Sequence, residues 1–117
     1  MNVSKNKITP LQVLTINNTL RSLGLNTSTL SAKLLNKAIQ YVIINDIEFI
    51  NLTEIYTYLG EKYNMNVNTI KNNINNALTN RNKTLSKKNF EKIFGYEYSE
   101  EIFTPKYFID EIRNIIS

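Results

Sequence analysis

Residues 53–80 read TEIYTYLGEKYNMNVNTIKNNINNALTN, and how that stretch divides decides the architecture. Ile55, Tyr56, Leu59 and Tyr63 recur at helical spacing; after an interruption at Asn64-Met65-Asn66, so do Ile70, Ile74, Ala77 and Leu78. The spacing predicts helices over about 53–63 and 67–80, the first capped by the Thr53 hydroxyl, with a turn between them too short for either to absorb. Gly60 is the small residue such a pair needs where the axes approach. Leu59 and Tyr63 are expected to point inward beside it, Asn64 to occupy the turn, and Met65 and Val67 to plug it. Ile70 and Ile74 anchor the later helix from below. Leu59, Gly60, Asn64, Val67, Ile70 and Ile74 are therefore the expected framework of a helix-turn-helix.

On the N-terminal side, Thr9-Pro10 supplies a capping hydroxyl and a proline at the first helical position. Leu11, Leu14, Ile16, Leu20 and Leu23 follow, and Gly24 can take the positive φ that ends a helix, so the first helix is expected over about 10–23. Asn26, Thr27 and Ser28 form the next cap cluster. A stripe of Leu30, Leu34, Leu35, Ala38, Tyr41 and Val42 carries the second helix to about 44, with Tyr41 expected to be buried. Ile47-Glu48-Phe49-Ile50-Asn51 reads as a connection. On the C-terminal side, Arg81 to Thr84 reads as a basic loop, and a helix over about 85–94 carries Leu85, Phe90, Ile93 and Phe94 and stops at Gly95. Residues 96–103 are expected to be irregular or briefly extended. Thr104-Pro105 repeats the starting signal of the first helix, and Phe108, Ile109, Ile112, Ile115 and Ile116 mark the inner face of the last. The expectation is an all-α single domain of about six helices over residues 9–117, preceded by a frayed basic tail, 1–8.

Composition narrows the function. The chain has no cysteine and no histidine, which excludes disulfides, thiolate metal sites, cysteine nucleophiles and every histidine-dependent acid–base arrangement. The carboxylate pairs Glu100-Glu101 and Asp110-Glu111 are consecutive, so on a helix they diverge. No enzymatic activity, cofactor, metal or small-molecule substrate is expected. No run approaches the ~20 apolar residues of a membrane span, and the start MNVSKNK lacks the apolar core of a secretion signal; a cytoplasmic protein with no membrane partner is expected. The net charge of +4 is uneven. Residues 1–60 hold five basic and three acidic side chains, residues 61–92 seven and two, and residues 93–117 two and five. A central basic block suits phosphate contacts, although a solvated basic face has the same signature.

The inward set on the later helix of 53–80 leaves Asn66, Asn68, Thr69, Lys71, Asn72, Asn75, Asn76 and Thr79 on outward or flanking faces. Asn matches the N6/N7 edge of adenine bidentately, Thr can touch a thymine methyl, and Lys can reach guanine or phosphate. Asn68, Thr69, Lys71, Asn72, Asn75 and Asn76 are the expected base-contacting residues of a double-stranded DNA binder. Asn66, Arg81, Lys83, Lys87 and Lys88 are the expected phosphate contacts. Each Asn costs a helix about half a kcal/mol relative to Ala, so helix stability does not explain their density here. The tyrosines, among them Tyr56, Tyr58, Tyr63, Tyr96, Tyr98 and Tyr107, read as packing residues.

Leu23-Gly24 before a long helix, Tyr41 through Asn45-Asp46-Ile47-Glu48, the Glu61-Lys62-Tyr63-Asn64 junction, Ala77, Phe94-Gly95-Tyr96, and Thr104 with Phe108-Ile109 occur here in a characteristic order. Over nearly all of Leu11 to Ile116 the chain resembles the DNA-binding effector domain of the stage-zero sporulation response regulators of spore-forming bacteria. The resemblance implies about six helices, a fourth helix that enters the major groove, and dimeric or tandem binding on DNA. Three features depart from it. No phosphoacceptor receiver domain is expected ahead of the first helix, which leaves control by phosphorylation without its acceptor. The family's recognition helix is rich in Arg, with Glu and His, where Thr69, Lys71, Asn72, Asn75 and Asn76 stand here, so a target richer in A·T is expected. The connection before the helix-turn-helix is shorter. A stand-alone transcriptional regulator fits best. An accessory DNA-binding protein acting at a plasmid or phage origin or transfer site, and an interaction module that antagonises a full-length regulator through the final helix, stay open.

Overall fold

The computed structural model describes residues 7–116; of the expected tail 1–8, residues 1–6 lie outside the described residues. Six α-helices follow in order: α1 Pro10–Ser22, α2 Leu30–Ile44, α3 Leu52–Tyr63, α4 Val67–Thr79, α5 Lys83–Phe94 and α6 Pro105–Ile116. A short 3-10 helix, Glu100–Phe103, precedes α6, and no strand occurs among the described residues. The all-α class and the six helices agree with the sequence reading.

The helix ends follow from local chemistry. Thr9 and Gln12 form a reciprocal capping box at the start of α1, the Thr9 Oγ1 accepting the Gln12 N–H at 3.1 Å and the Gln12 Oε1 accepting the Thr9 N–H at 2.9 Å. Three starts differ from expectation. Thr29 rather than the Asn26–Ser28 cluster caps α2, through its Oγ1 and the Ala32 N–H. Asn51 rather than Thr53 caps α3, its Oδ1 accepting the Glu54 N–H at 3.2 Å. Asn82 caps α5, so Lys83 and Thr84 belong to its first turn and not to a loop. In each case the acting side chain accepts the N–H three residues on, satisfying one of the free donors of the first turn.

One core draws on all six helices, and α2 lies at its centre, packed against α1, α3, α4 and α6. Leu34, Leu35, Ala38, Ile39 and Val42 of α2 meet Ile16 and Leu20 of α1, Ile55 and Leu59 of α3, Ile70 and Ile74 of α4, and Phe108, Ile109 and Ile112 of α6 in one cluster. Fully burying each large aliphatic chain is worth about 1.5–3 kcal/mol. The fit overturns some inward assignments. Leu11 and Leu14 are 70% and 54% exposed, because at 3.6 residues per turn Leu14 lies about 160° around α1 from the fully buried Ile16. Leu30 and Ile115 are also exposed, and Tyr41 is half-buried, its ring against Tyr58 and its hydroxyl donating to Glu54 at 2.8 Å. No helix among the described residues is long and apolar enough to cross a membrane.

Candidate nucleic-acid interface

The α3–α4 pair is built around Gly60. A Cβ added there would lie 2.7 Å from the Met65 carbonyl oxygen and 3.6 Å from the Val67 Cγ2, so the turn folds back onto the one residue of α3 without a side chain. Asn64 ends α3 at φ 54°, in the left-handed region that Asn tolerates better than most residues. Its N–H and that of Met65 both reach the Gly60 carbonyl, the latter at 2.9 Å. Leu59, Ile70 and Ile74 are fully buried. Val67 is 40% exposed, so it only flanks the turn, and the half-buried Met65 fills it.

With Ile70, Ile74, Ala77 and Leu78 turned inward, Asn68, Thr69, Lys71, Asn72 and Asn76 are all exposed on α4. Among the described residues none of these five side chains makes a hydrogen bond or ion pair within the protein. Asn75 is half-buried and lies with Asn68 and Lys71 along an open groove of about 390 Å³, whose other wall is Leu52, Thr53 and Tyr56 of α3 and Pro105 of α6. Asn66 caps α4, its Oδ1 accepting the Asn68 N–H at 2.7 Å, which leaves its amide nitrogen as the donor toward solvent.

The expected phosphate contacts divide. Lys87 and Lys88 are exposed on α5, Lys87 with its Nζ 5.7 Å from the centre of the Tyr98 ring. Lys83, also exposed, stands 3.6 Å from the Glu100 carboxylate. Arg81 is corrected: it is 6% exposed and faces inward. Its guanidinium donates to the Leu78 carbonyl, the Ser86 Oγ and the Tyr98 hydroxyl, each at 2.9 Å, and to Glu100 at 3.1 Å, and it lies 3.6 Å above the Phe103 ring. Burying a guanidinium is costly unless its donors are satisfied, and here the acceptors are supplied by Leu78, by α5 and by the segment leading to α6. The hydrogen bond from Tyr98 holds the Glu100 carboxyl below its ordinary value; burial opposes this and Arg81 adds to it. Burial pushes the Tyr98 phenol up.

Asn73 was not among the expected functional residues. It donates to the Thr69 carbonyl at 2.9 Å and accepts from the Ser31 hydroxyl of α2 at 2.8 Å, tying α4 to the central helix. Its place in sequence carries the signal, three residues after Ile70 and four before Ala77, on the flank of the inward stripe. Nothing comparable marked Arg81, whose partners stand up to 22 residues away in the chain, at Phe103. Among the described residues no group of three or more acidic side chains gathers as a metal site would require. Comparison with family models, with curated proteins and with solved structures returned no match.

Proposed function

We propose that the protein binds double-stranded DNA in a sequence-specific manner, with α3 and α4 acting as a helix-turn-helix and α4 lying in the major groove, and that it serves as a transcriptional regulator in the cytoplasm. The observation that carries this reading is the face of α4 on which five polar side chains, Asn68, Thr69, Lys71, Asn72 and Asn76, are exposed and unengaged. A helix with side chains is about 10–12 Å across, the width of the major groove. Short amides and a hydroxyl projecting from it are the groups that discriminate base edges, adenine above all. Asn66, Lys83, Lys87 and Lys88 take phosphates in this reading, and Arg81 does not. Kinship with the sporulation effector domains is part of the proposal and rests on the order of motifs between Leu23-Gly24 and Phe108-Ile109.

The test begins by selecting bound fragments from randomised DNA and then compares variants on the selected and on random duplexes across a salt series. Asn72→Ala is expected to weaken binding to the selected site by about 1–3 kcal/mol, with little effect on random duplex. Lys88→Ala is expected to weaken both equally and to lower the salt slope by about one. A wild-type protein that retains no duplex at physiological salt, or two variants that behave alike on both duplexes, would overturn the reading.

A further inference from the structure

A second surface lies away from the exposed amides of α4. The connection between α2 and α3 bends at Glu48 and Phe49, burying Ile50 in the core and leaving its neighbour Phe49 80% exposed. Phe49 is the most exposed of the large apolar side chains in the described part of the chain. Across a groove of about 150 Å³ stands Tyr107 of α6, 59% exposed, with Glu48 and Lys106 lining the same groove. The connection is held in place. Asp46 turns it at φ 50°, and the Arg113 guanidinium of α6 donates to the carbonyls of Ile47 and Glu48 while also pairing with Asp110. Two aromatic rings are thus presented to solvent on a braced frame. Rigid aromatics lose little side-chain freedom when they are covered, and they dominate interface energies.

We infer that this surface is a two-fold contact between two copies of the chain. Charge complementarity identifies the occupant. Glu48 and Lys106 carry opposite charges on one groove, yet among the described residues neither takes part in an ion pair, whereas Asp110 has Arg113. In a two-fold contact the same patch faces itself, so a residue that meets a second across the axis is met by it in return. Glu48 of each copy then faces Lys106 of the other, and the Phe49 and Tyr107 rings fill the space between the two pairs. The patch is small, so the dimer is weak, with a dissociation constant on the order of 10–100 µM. The inference does not rest on DNA binding.

Sedimentation of the whole chain without DNA, at concentrations up to ~1 mM, tests it. The wild type is expected to sediment as a monomer–dimer equilibrium. Phe49→Ser, a change at an exposed position that leaves the helical circular dichroism intact, is expected to raise the dissociation constant at least tenfold. Glu48→Lys and Lys106→Glu are each expected to abolish self-association, because each sets like charges face to face. Mixed in equal amounts, these two variants are expected to form a heterodimer, since every cross-axis pair is again of opposite sign; a contact made by any other surface does not predict that rescue. A wild type that remains monomeric throughout, a dimer indifferent to the three changes, or swapped variants that fail to associate when mixed would overturn the inference. A chain that dimerises through this patch and ignores DNA would leave it standing and sink the functional proposal instead.

Discussion

Arg81 shows how one side chain exchanges a surface role for an internal one. A basic residue at the end of a polar helix suits a phosphate contact, but the guanidinium here bonds Leu78, Ser86, Tyr98 and Glu100 and stacks on Phe103. Its partners are not equivalent. Glu100 has a side chain 57% exposed, so its pairing is screened and worth at most about 1 kcal/mol. The bonds to Ser86 and Leu78 are buried, and a buried hydrogen bond from a charged donor is worth about 1.5–3 kcal/mol. Arg81→Ala is therefore expected to lower stability to urea by roughly 2–4 kcal/mol, and Glu100→Gln by less than about 1 kcal/mol. The second change carries a pH signature. The folded Glu100 carboxyl titrates below its ordinary value of 4.5, so its contribution is complete above that value and is lost as the pH falls through the depressed folded value. Glu100→Gln is expected to flatten that part of the acid limb of a stability–pH curve. An acid limb unchanged by the substitution would show that the Tyr98 and Arg81 contacts do not favour the ionised form.

Between elements, the approach of α3 to α4 depends on a missing side chain. Alanine at position 60 would gain about 1 kcal/mol of helix propensity. Against this stands a Cβ 2.7 Å from the Met65 carbonyl oxygen, a backbone atom that moves only if the turn moves, and overpacking of this kind costs about 1–3 kcal/mol. The clash is expected to win. Gly60→Ala should lose up to about 2 kcal/mol in urea denaturation and, under the proposed function, should also weaken specific DNA binding, since α4 is displaced relative to α3. A variant as stable as the wild type would mean that the turn opens freely. The existence of both helices was legible because Ile55, Tyr56 and Leu59, and then Ile70, Ile74 and Leu78, keep a helical period on either side of Asn64. The start of α4 at Val67 was legible as well, that of α3 less so. Asn51 and Thr53 are both competent caps, and which one acts depends on where the incoming chain is held by the core.

At the scale of the molecule, one core links every helix, from Ile16 and Leu20 in α1 to Phe108, Ile109 and Ile112 in α6. Unfolding is expected to be a single transition in which helical circular dichroism and tyrosine fluorescence share one urea midpoint. The chain has seven tyrosines and no tryptophan, so tyrosine reports on the tertiary structure. Ile112→Ala, at a fully buried site in the last helix, is expected to cost about 2–5 kcal/mol and to shift both signals together. Separate midpoints would mean that α6 docks on a core already complete without it. The charges follow the same geography. Lys83, Lys87 and Lys88 on α5 stay exposed, while the acidic C-terminal part supplies Glu100 to Arg81 and Lys83 and Glu111 to the Tyr96 hydroxyl.

Local periodicity and turn chemistry were enough to determine six helices, the small residue at 60, the inward stripe of α4 and the polar character of its other side, because each depends on residues within one or two turns of one another. Which apolar residues go inside was decided only by packing between helices, and so Leu11, Leu14 and Phe49 face water. The pairing of Arg81 with Tyr98, the tie between Asn73 and Ser31, and the bond from Arg113 to the Ile47 carbonyl join residues 17 to 66 positions apart. No spacing rule spans such distances; only the tertiary structure brings those groups within bonding reach.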